Sequence, residues 1–478
     1  MNRLLRPLLV ASVLALPIKL GAQFTSREYA ARRDALLARL PDAIVLALGA
    51  PEPREDYLEF YQRPDMLYLT GVKEPDVALV MVKHNGRVSP WLFVLPRDPA
   101  AETWTGARLG TVGATQLTGI PSRNRDELAG VLDSLSATGL PLFVDGDVSD
   151  ADGDNGVLSA DDQFVAALRA KHQNVRIQPV NALVAQLRGR KSPAELAMIR
   201  RAVEITTEAQ REAMRAMPSA HNEYEIEALI EYTFRRNGAE RPSFATIVGS
   251  GPNSTTLHYN ADDRPIQPGE VVVMDIGASY AGYAADVTRT IPSNGTYSSE
   301  QRAVYQIVRD AQAAAERNAR PGQSARAMND SANAVIASGL TRLGLIESPT
   351  ATFDYTQDGM TRELPQYVLY YMHGLGHGIG LEVHDPDQYY FAPGLIAEGS
   401  AFTIEPGIYV RDNLLETLPD TPRNRAMSAK IRAAVNRYRN IGVRIEDDYI
   451  VTDKGVEWIS RAPREMSEIE ALMRRPTP

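Results

Sequence analysis

Four carboxylates interrupt apolar, strand-like runs in the second half of this 478-residue chain: Asp275 in VVVMDIG, Asp286 in AADVTRTI, Glu405 in FTIEPGIYV and Glu446 in NIGVRIEDDYIV. A charge carried into a buried strand must meet a counter-charge, a proton or water, so a fold that packs these strands has to gather the acids around something. Turn glycines at 277 and 282 make Val271–Ile276 and Tyr283–Ile291 a hairpin, and a turn centred at Ser279–Gly282 sets Asp275 opposite Asp286 across the ladder. Two carboxylates that close repel, or one takes up a proton, unless a metal ion lies between them.

No cysteine is present, which excludes disulfides, thiolate metal sites and cysteine nucleophiles and leaves metal chemistry to His, Asp and Glu. Three of the seven histidines, His373, His377 and His384, fall within the stretch HGLGHGIGLEVHD. His373 and His377 have the i,i+4 spacing of a helical zinc pair, but Gly374 stands where that motif carries Glu, and four glycines oppose a helix. Two Asp, two Glu and one neutral His balance two divalent cations. So oxygen-rich a set suits Mn(II), Co(II) or Zn(II) in a dinuclear site better than a structural zinc.

Hydrophobic residues at 44% and charged residues at 23% are those of a soluble globular protein, and the length accommodates two or three domains. Arg3 and Arg6 precede an apolar run from Pro7 to Ile18 and the small pair Gly21-Ala22, the pattern of a secretory signal peptide over residues 1–22. The run is short for a membrane span, so the expectation is a secreted or periplasmic protein without stable membrane insertion, a retained anchor being the alternative. Cleavage removes Arg3, Arg6 and Lys19 from the 51 basic residues, leaving 48 against 60 acids, a net −12 in place of −9. That charge disfavours a nucleic-acid partner.

Behind the leader, Leu36, Leu37 and Leu40 fit one face of a helix over Ser26–Leu40. Asp42–Leu48, Met66–Leu69, Ala78–Val82, Trp91–Leu95 and Leu142–Val144 are apolar strand candidates, which makes the first third a compact α/β unit. Asp150, Asp152 and Asp154 alternate in the acidic stretch between Asp145 and Asp162, but Asn155 stands where a calcium loop needs glycine, so the stretch reads as a solvated surface loop. A domain boundary is placed near Arg188–Ser192, where a basic RGRK run precedes Ser192-Pro193-Ala194-Glu195, an N-cap serine, a first-turn proline and a carboxylate three residues on. This divides the mature chain into 23–187 and 188–478. Amphipathic helices follow at Glu223–Arg236, Glu300–Ala319 and Gln323–Gly339, interleaved with hairpins in an α+β pattern without a 20–50-residue repeat. In the connection between Tyr409 and Gly442, the basic Ser428–Arg439 reads as a solvated surface helix.

Taken together, HGLGHGIGLEVHD, VVVMDIG with AADVTRT, TIEPGIY and GVRIEDD resemble the pita-bread metallopeptidases, nearest to aminopeptidase P. EDYLEFYQRPDMLYLTGVKEPDVALV, ETWTGARLG and TIVGSGPNSTTLHY extend the resemblance over nearly the whole mature chain. The fold it implies is α+β, a C-terminal pita-bread catalytic domain preceded by a smaller α/β domain of the creatinase/aminopeptidase P type. It implies two divalent ions per subunit, Mn(II) before Co(II) or Zn(II), with Asp275 on one, His377 and Glu405 on the other, and Asp286 and Glu446 bridging both. It also implies active-site histidines at His258, His373 and His384, of which His384 contacts the scissile carbonyl or the tetrahedral intermediate. Arg444 resembles a supporting arginine, and Tyr409 is placed beside it; His258, His373, His384 and Tyr409 are the substrate-lining set. His84, His172 and His221 match no motif and are read as surface residues.

The activity implied is hydrolysis of an N-terminal Xaa-Pro bond by a hydroxide bridging two metals, with Glu405 taking its proton. Substrates are then peptides with proline in second position, and the assembly is a homodimer or homotetramer. A Xaa-Pro dipeptidase shares the five ligands and is the alternative. A metal-free creatinase-like hydrolase and a non-catalytic pita-bread binding module both require the loss of ligands that are present.

Overall fold

The computed structural model describes residues 24–146 and 159–474; the leader and the alternating aspartates of the acidic stretch lie outside the described residues. Ala43–Leu48 is apolar and buried at every position, as a strand covered on both faces must be. It lies inside a six-stranded mixed sheet ordered Ser122–Asn124, Arg87–Val94, Ala78–His84, Ala43–Leu48, Leu142–Asp145 and Ile177–Pro179. The Arg87–Val94, Ala78–His84 and Ala43–Leu48 strands pair antiparallel, and the outer pairings are parallel. Leu36 and Leu37 of the helix Ser26–Ala38 pack in the cluster on one face, Leu128 and Leu132 of Leu128–Ser136 in that on the other.

Met66–Leu69, expected as a strand, is instead the body of the helix Pro64–Thr70. Pro64 at its first position, Asp65 in its first turn and Gly71 in the left-handed conformation at its end (φ 73°) are start and stop signals, and they outweigh a short apolar run.

Ser192 opens the long helix Pro193–Ala216 with a reciprocal cap: its hydroxyl accepts from the Glu195 N–H, and the Glu195 carboxylate accepts from the Ser192 N–H at 2.9 Å. On the inner face of this helix, buried Gln210 donates to the carbonyls of Met274 and Val287 at 3.0 and 2.8 Å and so grips both strands of the expected hairpin. Val271–Ile276 pairs with Val287–Pro292 on one side and with Ile247–Ser250 on the other. The register sets Thr288, not Asp286, opposite Asp275. The turn is one residue later than expected, because Ala281 (φ 58°) and Gly282 (φ 87°) are its two left-handed central residues, with Tyr280 and Tyr283 paired across it. Asp286 is therefore offset by two positions, an even number that keeps both aspartates on one face.

Ala401–Ile404, Asp447–Thr452 and Gly455–Trp458 form one small sheet, and Gly407–Val410 with Ile441–Arg444 another. Two strands pass from one sheet to the other side by side. Ile404 pairs with Asp447 and Gly407 with Arg444, which leaves facing breaks at residues 405–406 and 445–446. Glu405 and Glu446 occupy those breaks, and Asp286 occupies a similar one between Tyr283–Ala284 and Val287–Pro292. These three acids thus leave the apolar ladder where the backbone bends, whereas Asp275 stays within its strand.

The helices Ser299–Asn318 and Ala325–Leu343 cover this core. In the long connection, the helix begins at Pro422 rather than Ser428 and is not merely solvated: Met427, Ile431, Val435 and Tyr438 are buried. Four of its five cations are paired, Arg423 with Asp354 and Glu363, Arg425 with Asp420, Lys430 with Glu347 and Arg437 with Glu300. Among the described residues no helix is long and apolar enough to cross a membrane.

Candidate metal centre

The HGLGHGIG segment is not helical. A Cβ on Gly376, Gly378 or Gly380 would overlap the Thr403 carbonyl oxygen, the Asp385 carbonyl oxygen or the Asp385 carboxylate respectively, so these glycines exist for close backbone approach. The approach lets His377 and Thr403 lock together. The His377 N–H donates to Thr403 Oγ1 at 3.1 Å, and the Thr403 N–H donates to the His377 carbonyl at 2.9 Å.

The His377 ring is oriented by its Nδ1, 3.1 Å from the Gly378 carbonyl oxygen. A carbonyl only accepts, so Nδ1 carries the proton and Nε2 presents a lone pair. Burial, and then the neighbouring His384 with its ring centroid 4.0 Å away, lowers the His377 pKa to about 4 and keeps the ring neutral. That Nε2 lies 3.3 Å from Glu405 Oε1, 3.6 Å from Asp286 Oδ2 and 3.9 Å from Glu446 Oε1. Asp286, His377 and Glu446 each offer a ligand atom, all within 4.8 Å of one another.

Oδ1 of Asp275, Oδ1 of Asp286 and Oε1 of Glu446 are buried with no hydrogen-bond partner. Burial raises the pKa values of Asp286 and Glu405 well above the carboxylate range, with Glu446 the next cause for both. Burial, then Asp275, likewise pushes up Glu446. Buried acids with orphaned oxygens around an imidazole lone pair are a donor set made for divalent cations, so the residues fit such ions.

Behind the oxygens lies a supporting network. Thr288 Oγ1 donates to Glu446 Oε2 at 2.6 Å, and the Asp286 N–H donates to Asp448 Oδ2 at 3.1 Å. Asp275 turns its Oδ2 to Arg444 Nη2. Arg444 Nη1 donates to the Tyr409 hydroxyl at 2.9 Å, and that hydroxyl donates in turn to His373 Nε2 at 2.9 Å. The direction follows because His373 Nδ1 donates to the Gly374 carbonyl at 2.8 Å. Burial, then Arg444, lowers the His373 pKa to about 4. Both ring nitrogens of His373 are thus engaged within the protein, whereas His258 and His384 are exposed. Of the other histidines, His84 and His221 are on the surface, but His172 is half-buried with Nε2 2.8 Å from Asp133.

Thr288, Thr403 and Asp448 are not among the residues expected from sequence. The available signal is period two: Asp286, Thr288 and Thr290 alternate on one face of their strand, and Thr290 Oγ1 donates to the Arg444 carbonyl at 3.0 Å and accepts from its N–H at 3.0 Å.

Residues 197–453 match the family model described as metallopeptidase family M24, and residues 29–140 match that of the aminopeptidase P N-terminal domain. A Xaa-Pro aminopeptidase of Haemophilus influenzae is 33% identical over 459 residues, covering 95% of this chain and 98% of that protein. A human Xaa-Pro dipeptidase is 32% identical over 437 residues, covering 87% and 84%. Among solved structures, a low-pH form of aminopeptidase P from Escherichia coli is similar at a TM-score of 0.77 and 31% identity, covering 94% of this chain and 98% of that one. With an α/β unit ahead of an α+β unit that gathers the acids, and with these matches, the chain belongs to metallopeptidase family M24 and is a hydrolase with the two-domain architecture of aminopeptidase P.

Proposed function

We propose that the protein is a secreted or periplasmic Xaa-Pro aminopeptidase that holds two divalent ions, Mn(II) by first choice, with Asp275, Asp286, His377, Glu405 and Glu446. The observation that carries this reading is the neutral His377 Nε2 directed at the carboxylates of Asp286, Glu405 and Glu446, an arrangement that is repulsive unless a proton or a cation lies between them. When bound, such ions lower the pKa of a water and polarise a peptide carbonyl.

The chain's own residues supply positioning and proton handling. Glu405, whose Oε1 lies 3.3 Å from His377 Nε2, takes a proton and returns it to the leaving nitrogen. His384, exposed beside His377, donates to the carbonyl oxygen as charge develops there. His258 is exposed as well and contacts the peptide, while half-buried His373 walls the site and fully buried Tyr409, held by Arg444, backs it. The acidic cluster favours a free substrate amine. Proline in second position is the substrate class named by the aminopeptidase relatives; the human dipeptidase supports a second reading, cleavage confined to dipeptides.

The deciding experiment compares Xaa-Pro dipeptides with Xaa-Pro-Yaa tripeptides, using metal-stripped mature protein with and without Mn(II), beside Glu405→Ala. Metal-dependent release of the first residue from tripeptides supports the aminopeptidase; cleavage of dipeptides alone makes it a dipeptidase. Failure to bind any metal would overturn the five-ligand reading. Export is tested by amino-terminal sequencing, which should begin at Gln23, and the expected dimer or tetramer by light scattering.

A further inference from the structure

The RGRK run is more than a boundary signal. Arg188 and Lys191 are 5% and 3% exposed, and both reach into the loop that carries His384. Arg188 Nη2 pairs with Asp385 Oδ1 and Lys191 Nζ with Asp385 Oδ2, the latter at 3.1 Å, so two cations take the two oxygens of one carboxylate. Lys191 also donates to the Pro386 carbonyl. Arg188 Nη2 donates in addition to Glu382 Oε2 at 2.7 Å, which places one guanidinium across both flanks of Val383-His384. Its other arm, Nη1, donates to Asp65 Oδ1 at 2.7 Å, in the first turn of the helix Pro64–Thr70.

The backbones are fitted to match. A Cβ on Gly189 would come 3.2 Å from the Asp387 carbonyl carbon and 3.3 Å from the Gln388 nitrogen. The Lys191 N–H donates to the Gly399 carbonyl at 2.8 Å. At the far end, Asp145 is fully buried near Asp65, and burial followed by Asp65 raises its pKa well above the carboxylate range. The side-chain bonds of Arg188 and Lys191 go to Asp65, Glu382, Asp385 and Pro386, and to none of the five residues assigned to metal.

We propose that Arg188 and Lys191 are positioning residues that hold the 380–387 loop, and with it His384, so that the relay Asp65–Arg188–Asp385 makes the placement of His384 depend on the docked N-terminal unit. This rests on the reading of His384 as the group that meets the substrate carbonyl. Arginine is required because one planar fork serves three carboxylates, which a point-charge ammonium cannot do. A displacement of the loop by an ångström is enough to cost a large factor in rate.

The test uses the full-length, metal-loaded protein and the variants Arg188→Lys and Asp65→Asn, the second of which removes the charge at only the N-terminal end of the relay. Three quantities are measured: kcat and KM on the best tripeptide of the wild type, metal content, and amide hydrogen exchange along the chain. We expect kcat to fall about 10- to 100-fold in Arg188→Lys and less in Asp65→Asn. KM and metal content should stay within about twofold of the wild type, and exchange should quicken over 380–387 more than elsewhere. Variants that keep wild-type kcat and wild-type exchange over 380–387 would overturn the proposal, and so would losses of kcat that follow loss of metal or a uniform rise in exchange. A wild type that cleaves no peptide refutes the peptidase reading; the exchange pattern then still decides whether the relay holds the loop.

Discussion

His377 Nε2 lies 3.3 Å from Glu405 Oε1 while the imidazole proton sits on the opposite nitrogen, donated to the Gly378 carbonyl. A lone pair facing an ionised carboxylate at that distance is repulsive unless a proton or a cation lies between them, and Asp286 and Glu446 add to it when ionised. The protein holds the geometry because the surroundings determine it: Thr403 fixes the His377 backbone, Thr288 fixes the Glu446 carboxylate, and Asp448 fixes the Asp286 amide. The same preorganisation becomes cohesive once positive charge is supplied.

Divalent metal should therefore stabilise the fold by mass action, by about 2.7 kcal/mol when free metal is a hundredfold above its Kd. Scanning fluorimetry of the stripped protein should show the melting temperature rising with Mn(II) and falling back on chelation. Asp286→Asn removes one repelling charge and one donor. Its metal-free form should melt at or above the metal-free wild type and gain little from Mn(II). A wild type indifferent to Mn(II), Co(II) and Zn(II) alike would refute the assignment.

Tyr409→Phe keeps the ring and deletes the hydroxyl that accepts from Arg444 and donates to His373. Two buried polar groups then lose a partner, at a cost of about 1–3 kcal/mol in stability. With His373 free to turn, kcat should drop about 10- to 100-fold, with a smaller change in KM. Denaturant titration and steady-state kinetics check the two halves separately; an unchanged kcat would show that the relay is only structural.

The acids of the centre were legible because a carboxylate in an apolar run is expensive: Asp286, Glu405 and Glu446 converge on His377, and Asp275 turns one oxygen to Arg444. The helix beginning at Pro193 was legible because its cap is local in sequence. What was not legible is non-local. The register of Asp275 depends on Ala281 accepting a left-handed conformation, which its residue type does not announce. Met66–Leu69 misled because four apolar residues fit either period, and only the flanking Pro64 and Gly71 decide. The partners of Arg188 lie 123 to 197 residues away, beyond what a basic run can reveal by itself.

The glycines of HGLGHGIG allow a sharp contrast. Gly376→Ala forces a methyl group against the Thr403 carbonyl, and the backbone must shift beside His377. About 1–3 kcal/mol of stability should be lost, as for overpacking elsewhere, and Mn(II) affinity should weaken at least about tenfold. Gly374→Ala meets nothing within 4 Å and should change neither by much. Calorimetric titration of the stripped proteins with Mn(II) separates the two, and equal affinities would contradict the close-approach argument.

Stability should also carry a pH signature from Asp262, which is 1% exposed. Its Oδ1 accepts from the Val248 N–H at 2.9 Å, but its Oδ2 is buried without a partner. Burial is the largest cause, with Glu227, Glu223 and Glu231 adding to it, and together they push its pKa up to about 7, from about 3.9 in an unfolded chain. Because the folded state binds the proton more tightly, this group's contribution is most favourable below pH 4, declines as pH rises, and is fully lost above pH 7. Asp262→Asn keeps the acceptor, tolerates the left-handed backbone at φ 44°, and cannot ionise. The melting temperature of the variant relative to the wild type should therefore climb between about pH 4 and 7 and level off beyond. A difference that is flat across that window, or that falls, would show that folding does not raise the Asp262 pKa.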